Sequence, residues 1–453
     1  MKVKQVPEVH VGILLAETIG FRMEGPFGSA RGGAPLSGAA RALVEKGQIE
    51  VRLDGRTVAR GRELLFTPLD KATSRFAIGD VVIGIGFHWE QKEEQFFRGA
   101  IKLVISGGKI RVVNIVSIED YLVSVISSEM SGGCAPALLK AHAIISRSWL
   151  LAQIGKQDTT EPKAGGTNPL REPDQEYIRW YNREDHTGFH VCADDHCQRY
   201  QGVTRASNPE VEKAVEETFG EVLMHGGRIC DARFSKCCGG VTEKFENCWE
   251  PVEHPYLQRV DDNPAGAGIN GDDLKIESKA RAFIKGSPDA FCNTGDTLLL
   301  RQVLNDYDLT SGGFYRWKVC YTREEISELI REKSGLDFGM IRELVPVQRG
   351  ESGRLVKLKI VGTKKTLTIG KELEIRRWLS KSHLYSAAFV VETTGAGEGI
   401  PEQFTLYGAG WGHGAGLCQI GAAVMAGLGY THQEILTHYY KEVTIERRYE
   451  KTL

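Results

Sequence analysis

The chain has 453 residues, 41% apolar and 26% charged, with a formal net charge of −2. That length holds two or three domain-sized units, or one large domain with insertions. The near-neutral balance leaves no electrostatic footprint for nucleic acid, and no stretch reaches the roughly eighteen apolar residues that a membrane span needs.

Residues 1–100 read mainly as β. Val9–Leu15 and Val81–Trp89 have strand patterns, and Gly107-Gly108 marks a hairpin turn between Ile101–Ile105 and Ile110–Val116. Ser117 with Asp120 opens a helix in the manner of a capping box. Tyr121, Leu122, Val125 and Ile126 give that helix one apolar face, and it should stop near Ser128–Gly133. A second helix begins near Pro136 and runs to about Gln153. Residues 155–175 read as a polar loop, and 262–300 as the start of an insertion. Arg323–Lys333 is an amphipathic helix, Leu355–Val361 a strand, and Leu373–Leu379 a short helix. Gln419 opens a last helical run, and no clear strand is expected before Gly410. The fold class is α+β, with antiparallel sheet pieces and segregated helices.

Glu129 stands at the break between the first two helices. Unpaired carbonyls at a helix C-terminus disfavour a carboxylate and raise its pKa, which suits general-acid work. The plain alternative is a surface glutamate in a turn. Lys140 and Arg147 are two helical turns apart and share a face; that face either lies beside Glu129 or is simply solvated. His186, Cys192, His196 and Cys197 supply four zinc-type donors within twelve residues. A disulfide or unrelated loop residues are the alternatives. Most of the ten cysteines lie between Cys192 and Cys292. Cys237 and Cys238, with Cys248 and Cys230 as candidate partners, suit either a disulfide or a second soft-metal site. His413 sits in the glycine-dense Gly410–Gly416 run, where the backbone can closely approach a ligand or another chain segment. A Cys418–His413 nucleophile pair lacks an apparent orienting group. Trp180, Tyr181 and Tyr200 have the character of sugar-stacking residues, and equally of core aromatics.

Three blocks resemble the SpoIID/LytB family. The first is the Tyr-Leu-x-x-Val-x-x-Ser-Glu-Met string from Tyr121 to Met130, followed by the Lys140…Arg147 helix. The second runs from Phe234 through Gly239-Gly240 to Thr242, with His254–Asp262 after it. The third is Gly-His-Gly-x-Gly-x-x-Gln-x-Gly-Ala, from Gly412 to Ala422. The sequence departs from the family pattern at His142, at Ser148-Trp149 and at Cys237-Cys238.

The resemblance implies a SpoIID-like catalytic domain over 97–453, interrupted by an α+β insertion at about 263–395 and preceded by a β-rich region over 1–96. It implies a peptidoglycan lytic transglycosylase with Glu129 as its acid/base. Lys140, Arg147, Ser235, Tyr200, His413 and Gln419 become substrate contacts, and His186, Cys192, His196 and Cys197 hold a structural zinc. Glycan strands are the implied substrate, with a cell-wall amidase as a partner in the alternative, non-catalytic reading. A second carboxylate, needed for simple hydrolysis, is sought among Asp120, Asp194 and Asp195. The resemblance also implies export to the periplasm or cell wall. The displayed chain itself shows no signal-peptide pattern, because acidic Glu8 precedes a short apolar run.

Overall fold

The computed structural model describes residues 6–451 apart from 31, 84–90, 131–132, 159–175, 182–185, 195, 205–207, 264–270, 305–312 and 398. The later part of the expected strand at Val81–Trp89, most of the expected 155–175 loop, Gly132 and Asp195 lie outside the described residues.

Ten strands precede the first long helix: β1 (Glu8–Ala16), β2 (Thr18–Ser29), β3 (Leu36–Glu45), β4 (Gln48–Leu53), β5 (Arg56–Gly61), β6 (Glu63–Pro68), β7 (Arg75–Ile83), β8 (Gln91–Phe97), β9 (Ala100–Ser106) and β10 (Lys109–Ser117). With β12 (Val191–Cys192) they form one sheet in the order β12-β1-β10-β9-β6-β2-β3-β4-β5, with β7 on β2 and β8 on β7. Alternation sets the inner face: Val9 and Val11 of β1, and Ile110 and Val112 of β10, are fully buried. The β9–β10 turn uses Gly107 and Gly108, both with positive φ, the backbone a tight two-residue hairpin requires.

Helix α1 spans Ile118–Glu129. Its N-cap is Ser117, whose Oγ accepts from the Asp120 N–H at 3.1 Å. Helix α2 (Pro136–Asp158) outlasts its expected end near Gln153, so residues 155–158 are helical rather than loop. Helix α3 (Pro209–Glu217) packs on both. One apolar core runs from Val9 through these helices to Tyr440. β8 and β9, which flank the expected boundary at 96/97, belong to one sheet and one core.

A second core is drawn from Trp317 to Leu406. It joins the helices Arg323–Ser334 and Glu372–Trp378 to two sheets, one of which includes β11 (Glu176–Ile178). The strand Ile400–Ala409 pairs with Arg316–Thr322 and Phe389–Gly397. Residues 400–409, beyond the expected limit near 395, thus pack with this second core. That same strand directly precedes Gly410, which corrects the expectation of none there.

Candidate active site

Glu129 is the last residue of α1 and is partly exposed. The buried face of α1, with Tyr121, Leu122, Val125 and Ile126, holds the helix on the core and fixes where its end projects. Glu129 Oε1 accepts the backbone N–H of Arg199 at 3.0 Å. The same stretch docks along the helix at two more points. Tyr121 donates its hydroxyl hydrogen to Gln198 Oε1 at 3.4 Å, and Ser124 Oγ accepts the Gln201 N–H at 3.1 Å. Burial pushes the Tyr121 phenol well up, so it remains a neutral donor.

The loop that brings Arg199 to Glu129 is the His/Cys segment. Its β12 extends the sheet in parallel, with Val191 beside Val11 and Cys192 beside Gly12, and His190 stacks on His10 at 4.6 Å. The loop then folds back, with the Cys197 N–H on the Asp194 carbonyl and the Tyr200 N–H on the Ala193 carbonyl, both at 3.0 Å. This fold converges the four donors. His186 Nε2 lies 3.2 Å from Cys197 Sγ, and His196 Nδ1 lies 3.6 Å from Cys197 Sγ and 4.0 Å from Cys192 Sγ. All four ligand atoms fall within 4.8 Å of one another. A tetrahedral ion with metal–sulfur bonds of about 2.3 Å and metal–nitrogen bonds of about 2.0 Å separates its ligands by roughly 3.3–3.8 Å. The grouping can therefore hold a metal ion. Hydrogen bonding from Cys197, and then from His186 and His196, pulls the Cys192 thiol far below the usual thiol range, the thiolate form a metal requires. A cavity of about 210 Å³ adjoins the loop, lined in part by Arg111, Asp194, Arg199 and Gln201.

The other expected contacts lie elsewhere. Lys140 and Arg147 do share a face, but that face packs against α3 and the strand Glu221–His225. Lys140 Nζ pairs with Glu217 at 2.5 Å. Arg147 is fully buried and grips Glu119 with two hydrogen bonds, of 3.0 and 2.6 Å, and the Glu221 carbonyl at 3.0 Å. Its expected groove-lining role is corrected, since its donors are spent inside the fold. Tyr200 is also buried; it stacks on Tyr121 at 5.0 Å and donates to Asn114 Oδ1 at 2.6 Å. It is a core aromatic rather than a sugar platform. Tyr181 is likewise taken up, by Glu374 and Arg377 of the inserted unit. Asp120 stands in the first turn of α1, at its opposite end. Nine residues at about 1.5 Å rise place it roughly 13 Å along the axis from Glu129, beyond the separation that paired glycosidase carboxylates use.

Two family models match the chain. Residues 106–225 match the one described as Stage II sporulation protein, and residues 243–416 match a domain of unknown function, DUF8618. Stage II sporulation protein D of Bacillus amyloliquefaciens is 23% identical over 73% of this chain and 74% of its own length. Over residues 106–225 the chain is similar to the SpoIID family. An uncharacterized protein of Brachyspira hyodysenteriae is 24% identical, covering 77% of this chain and 72% of that protein. The amidase enhancer of Bacillus subtilis is 25% identical over 72% of this chain, but over only 40% of its own length.

In this chain the glycine-dense block serves close approach between chain segments. Gly410 has a φ of 76°, and a Cβ there would meet the Cys237 carbonyl at 2.7 Å. His413 Nδ1 accepts the Ala415 N–H at 3.0 Å, and its ring lies 4.7 Å from Trp249. Burial, then the charges of Arg233, Arg376 and Arg354, push the His413 pKa well down, so the ring is neutral. Gln419 is buried and pairs with His142 Nε2 at 3.1 Å, while His142 Nδ1 meets Ser146 Oγ at 3.1 Å. Burial, with Lys236 adding, lowers His142 to about 3. Ser235 is buried on a short parallel strand beside Cys418, and its Oγ has no hydrogen-bond partner among the described residues.

Cys418 is fully buried with its thiol among those of Cys237, Cys238 and Cys292, which removes it as a nucleophile. The partners expected for the Cys237-Cys238 pair form no disulfide with it: Cys230 and Cys248 are free thiols, and Cys248 donates to the His413 carbonyl at 3.5 Å. Sequence reading missed Arg199, which acts through a backbone amide that no side-chain pattern reports. It also missed Arg354, whose buried guanidinium donates to the Cys238 carbonyl at 3.0 Å.

Proposed function

We propose that this chain is a lytic transglycosylase that cuts the glycosidic bond between N-acetylmuramic acid and N-acetylglucosamine in peptidoglycan. Similarity to the SpoIID family supports a cell-wall-related role. The observation that carries the finer reading is Glu129 itself: one partly exposed carboxylate at a helix end, held by the Arg199 amide. In the reaction Glu129 donates its proton to the glycosidic oxygen as the bond breaks. The carboxylate then takes the proton of the sugar's own C6 hydroxyl, which closes a 1,6-anhydro ring. One acid serves both steps because the nucleophile is intramolecular. Asp120 sits too far along α1 to be a hydrolytic partner, which leaves Asp194, on the loop that reaches Glu129, as the described candidate whose replacement would separate hydrolysis from this reading.

His186, Cys192, His196 and Cys197 would hold zinc in a closed, four-ligand structural site, which supplies rigidity and no open coordination position. These residues fix the loop that carries Gln198, Arg199 and Gln201 onto α1, and so orient Glu129. Peptide-stripped glycan is the proposed substrate, and action outside the cytoplasmic membrane goes with it. Among the described residues no helix is long and apolar enough to cross a membrane.

The second reading is a glycan-binding protein that enhances a wall amidase. The similarity to an amidase enhancer and the internal pairing of Arg147 and Gln419 favour it. Turnover of stripped and intact sacculi by wild type and Glu129→Gln separates the two. The transglycosylase reading expects cleavage of stripped glycan that the variant lacks; binding without cleavage by either protein moves the chain to the second class.

A further inference from the structure

Four chain segments far apart in sequence meet in one buried pocket. Cys238 follows the strand Phe234–Ser235, and Cys418 stands at the N-cap of the helix Gln419–Gly427. Asp262 closes the segment after His254. Cys292 lies between the helices Glu277–Lys285 and Thr297–Val303, on the way into the inserted unit. All four residues are at most 2% exposed, and one donor atom from each lies within 4.8 Å of the other three. Cys238 and Cys292 Sγ are 3.6 Å apart, and Cys418 Sγ accepts the Cys238 N–H at 3.2 Å. Asp262 Oδ2 accepts the Cys292 N–H at 2.9 Å, and Oδ1 accepts the Tyr439 hydroxyl at 2.6 Å.

Buried cysteines often pack simply as small apolar groups. A fully buried carboxylate among them does not fit that pattern, because burying a charge is costly unless it is paired or binds a metal. The one basic side chain within 4.0 Å of it among the described residues is His438, an imidazole that offers a charge only when protonated. The fold also makes room for it: a Cβ at Gly421 would meet Asp262 Oδ1 at 2.7 Å and Oδ2 at 2.8 Å. The 3.6 Å sulfur separation is far from a disulfide bond of about 2.05 Å. It is close to the edge of roughly 3.8 Å that two thiolates span on a tetrahedral zinc.

We infer that Cys238, Cys292, Cys418 and Asp262 form a second, thiolate-rich metal site that takes a thiophilic divalent cation such as zinc and clamps the inserted unit to the SpoIID-like core. The Cys237 thiol borders the site, in contact with Cys292 and Cys418. Soft thiolate donors select zinc over magnesium or calcium. Cys292 is the only ligand on the insertion side, so the ion would tie that connection to both core segments.

The test is metal content of the full chain purified in reductant, read by elemental mass spectrometry. A Cys192→Ser/His196→Ala variant lacks the first grouping and isolates the second. It should retain one zinc per chain, and adding Cys292→Ser should remove it. Cobalt bound to the first variant should show sulfur-to-metal charge-transfer absorption that the Cys292→Ser addition abolishes. No zinc in the Cys192→Ser/His196→Ala protein overturns the inference. So does zinc that survives Cys292→Ser, or a Cys238–Cys292 disulfide in the mass spectrum of unreduced protein. Because the first grouping is absent from these variants, failure of the zinc assignment at His186–Cys197 would leave the result unaffected.

Discussion

The loop from His186 to Gln201 and the glycine-dense block from Gly410 to Gln419 both carry polar residues of catalytic type, and the fold uses them oppositely. The first leaves His196 exposed and its other donors half-exposed, and it delivers a backbone amide to a partly exposed acid. The second engages its polar groups in internal pairs: buried Gln419 on His142, partly exposed His413 on Ala415, and buried Cys418 among thiols. The His/Cys loop leaves Glu129 partly exposed beside it, while the later block joins chain segments to one another. A residue's chemical type therefore says what it can do, and its partners say whether it is free to do it.

The sharpest way to break this comparison is Glu129→Gln. It should lower cleavage by at least about 100-fold, the scale of a lost general acid, with the circular dichroism spectrum unchanged. Full retained activity would leave the end of α1 without a catalytic role.

Arg147→Ala tests the other side. It removes the partner of Glu119, whose carboxylate also accepts from Tyr449 at 2.6 Å. Breaking such a buried pair should cost about 3–5 kcal/mol in urea unfolding, with KM for glycan unchanged below the new melting temperature. A raised KM at full stability would return Arg147 to the groove.

Chelation or Cys192→Ser should free the loop and cut activity tenfold or more, with increased proteolysis between 186 and 201. Loss of activity without added proteolysis would argue against a positioning role for this segment.

A subtler effect is pH-dependent stability. His142 is held at about 3 in the folded chain, against an ordinary 6.5, chiefly by burial. The unfolded chain therefore binds the extra proton first. His142 costs no stability above about pH 6.5, and stability falls by up to about 1.4 kcal/mol per pH unit as the pH drops from there towards 3. Urea unfolding at pH 7, 5.5 and 4.5 should show a shallower decline in His142→Gln than in wild type; identical slopes would remove His142 from the account.

Much of the local structure was legible in the sequence. The Ser117 cap, the Gly107-Gly108 hairpin and the apolar stripe of α1 are short-range patterns, and each element forms where its pattern lies. The four His/Cys donors were legible because metal-type residues crowd into one loop. Less legible was the direction of a shared face. Two helical turns place Lys140 and Arg147 together, but only the tertiary partners determine that Arg147 turns inward to Glu119 while Lys140 pairs with Glu217 at the surface of α3. The Cys238–Cys292–Cys418 pocket was hidden for the same reason: its members are up to 180 positions apart, and local spacing carries no information about such meetings.

The central claim rests on Glu129, and product analysis tests it most directly. Peptide-free glycan strands would be digested with wild type and with Glu129→Gln, and the fragments identified by mass spectrometry. The account predicts 1,6-anhydro-muramyl ends from wild type and none from the variant. Reducing ends from wild type, or anhydro ends from both proteins, would contradict it.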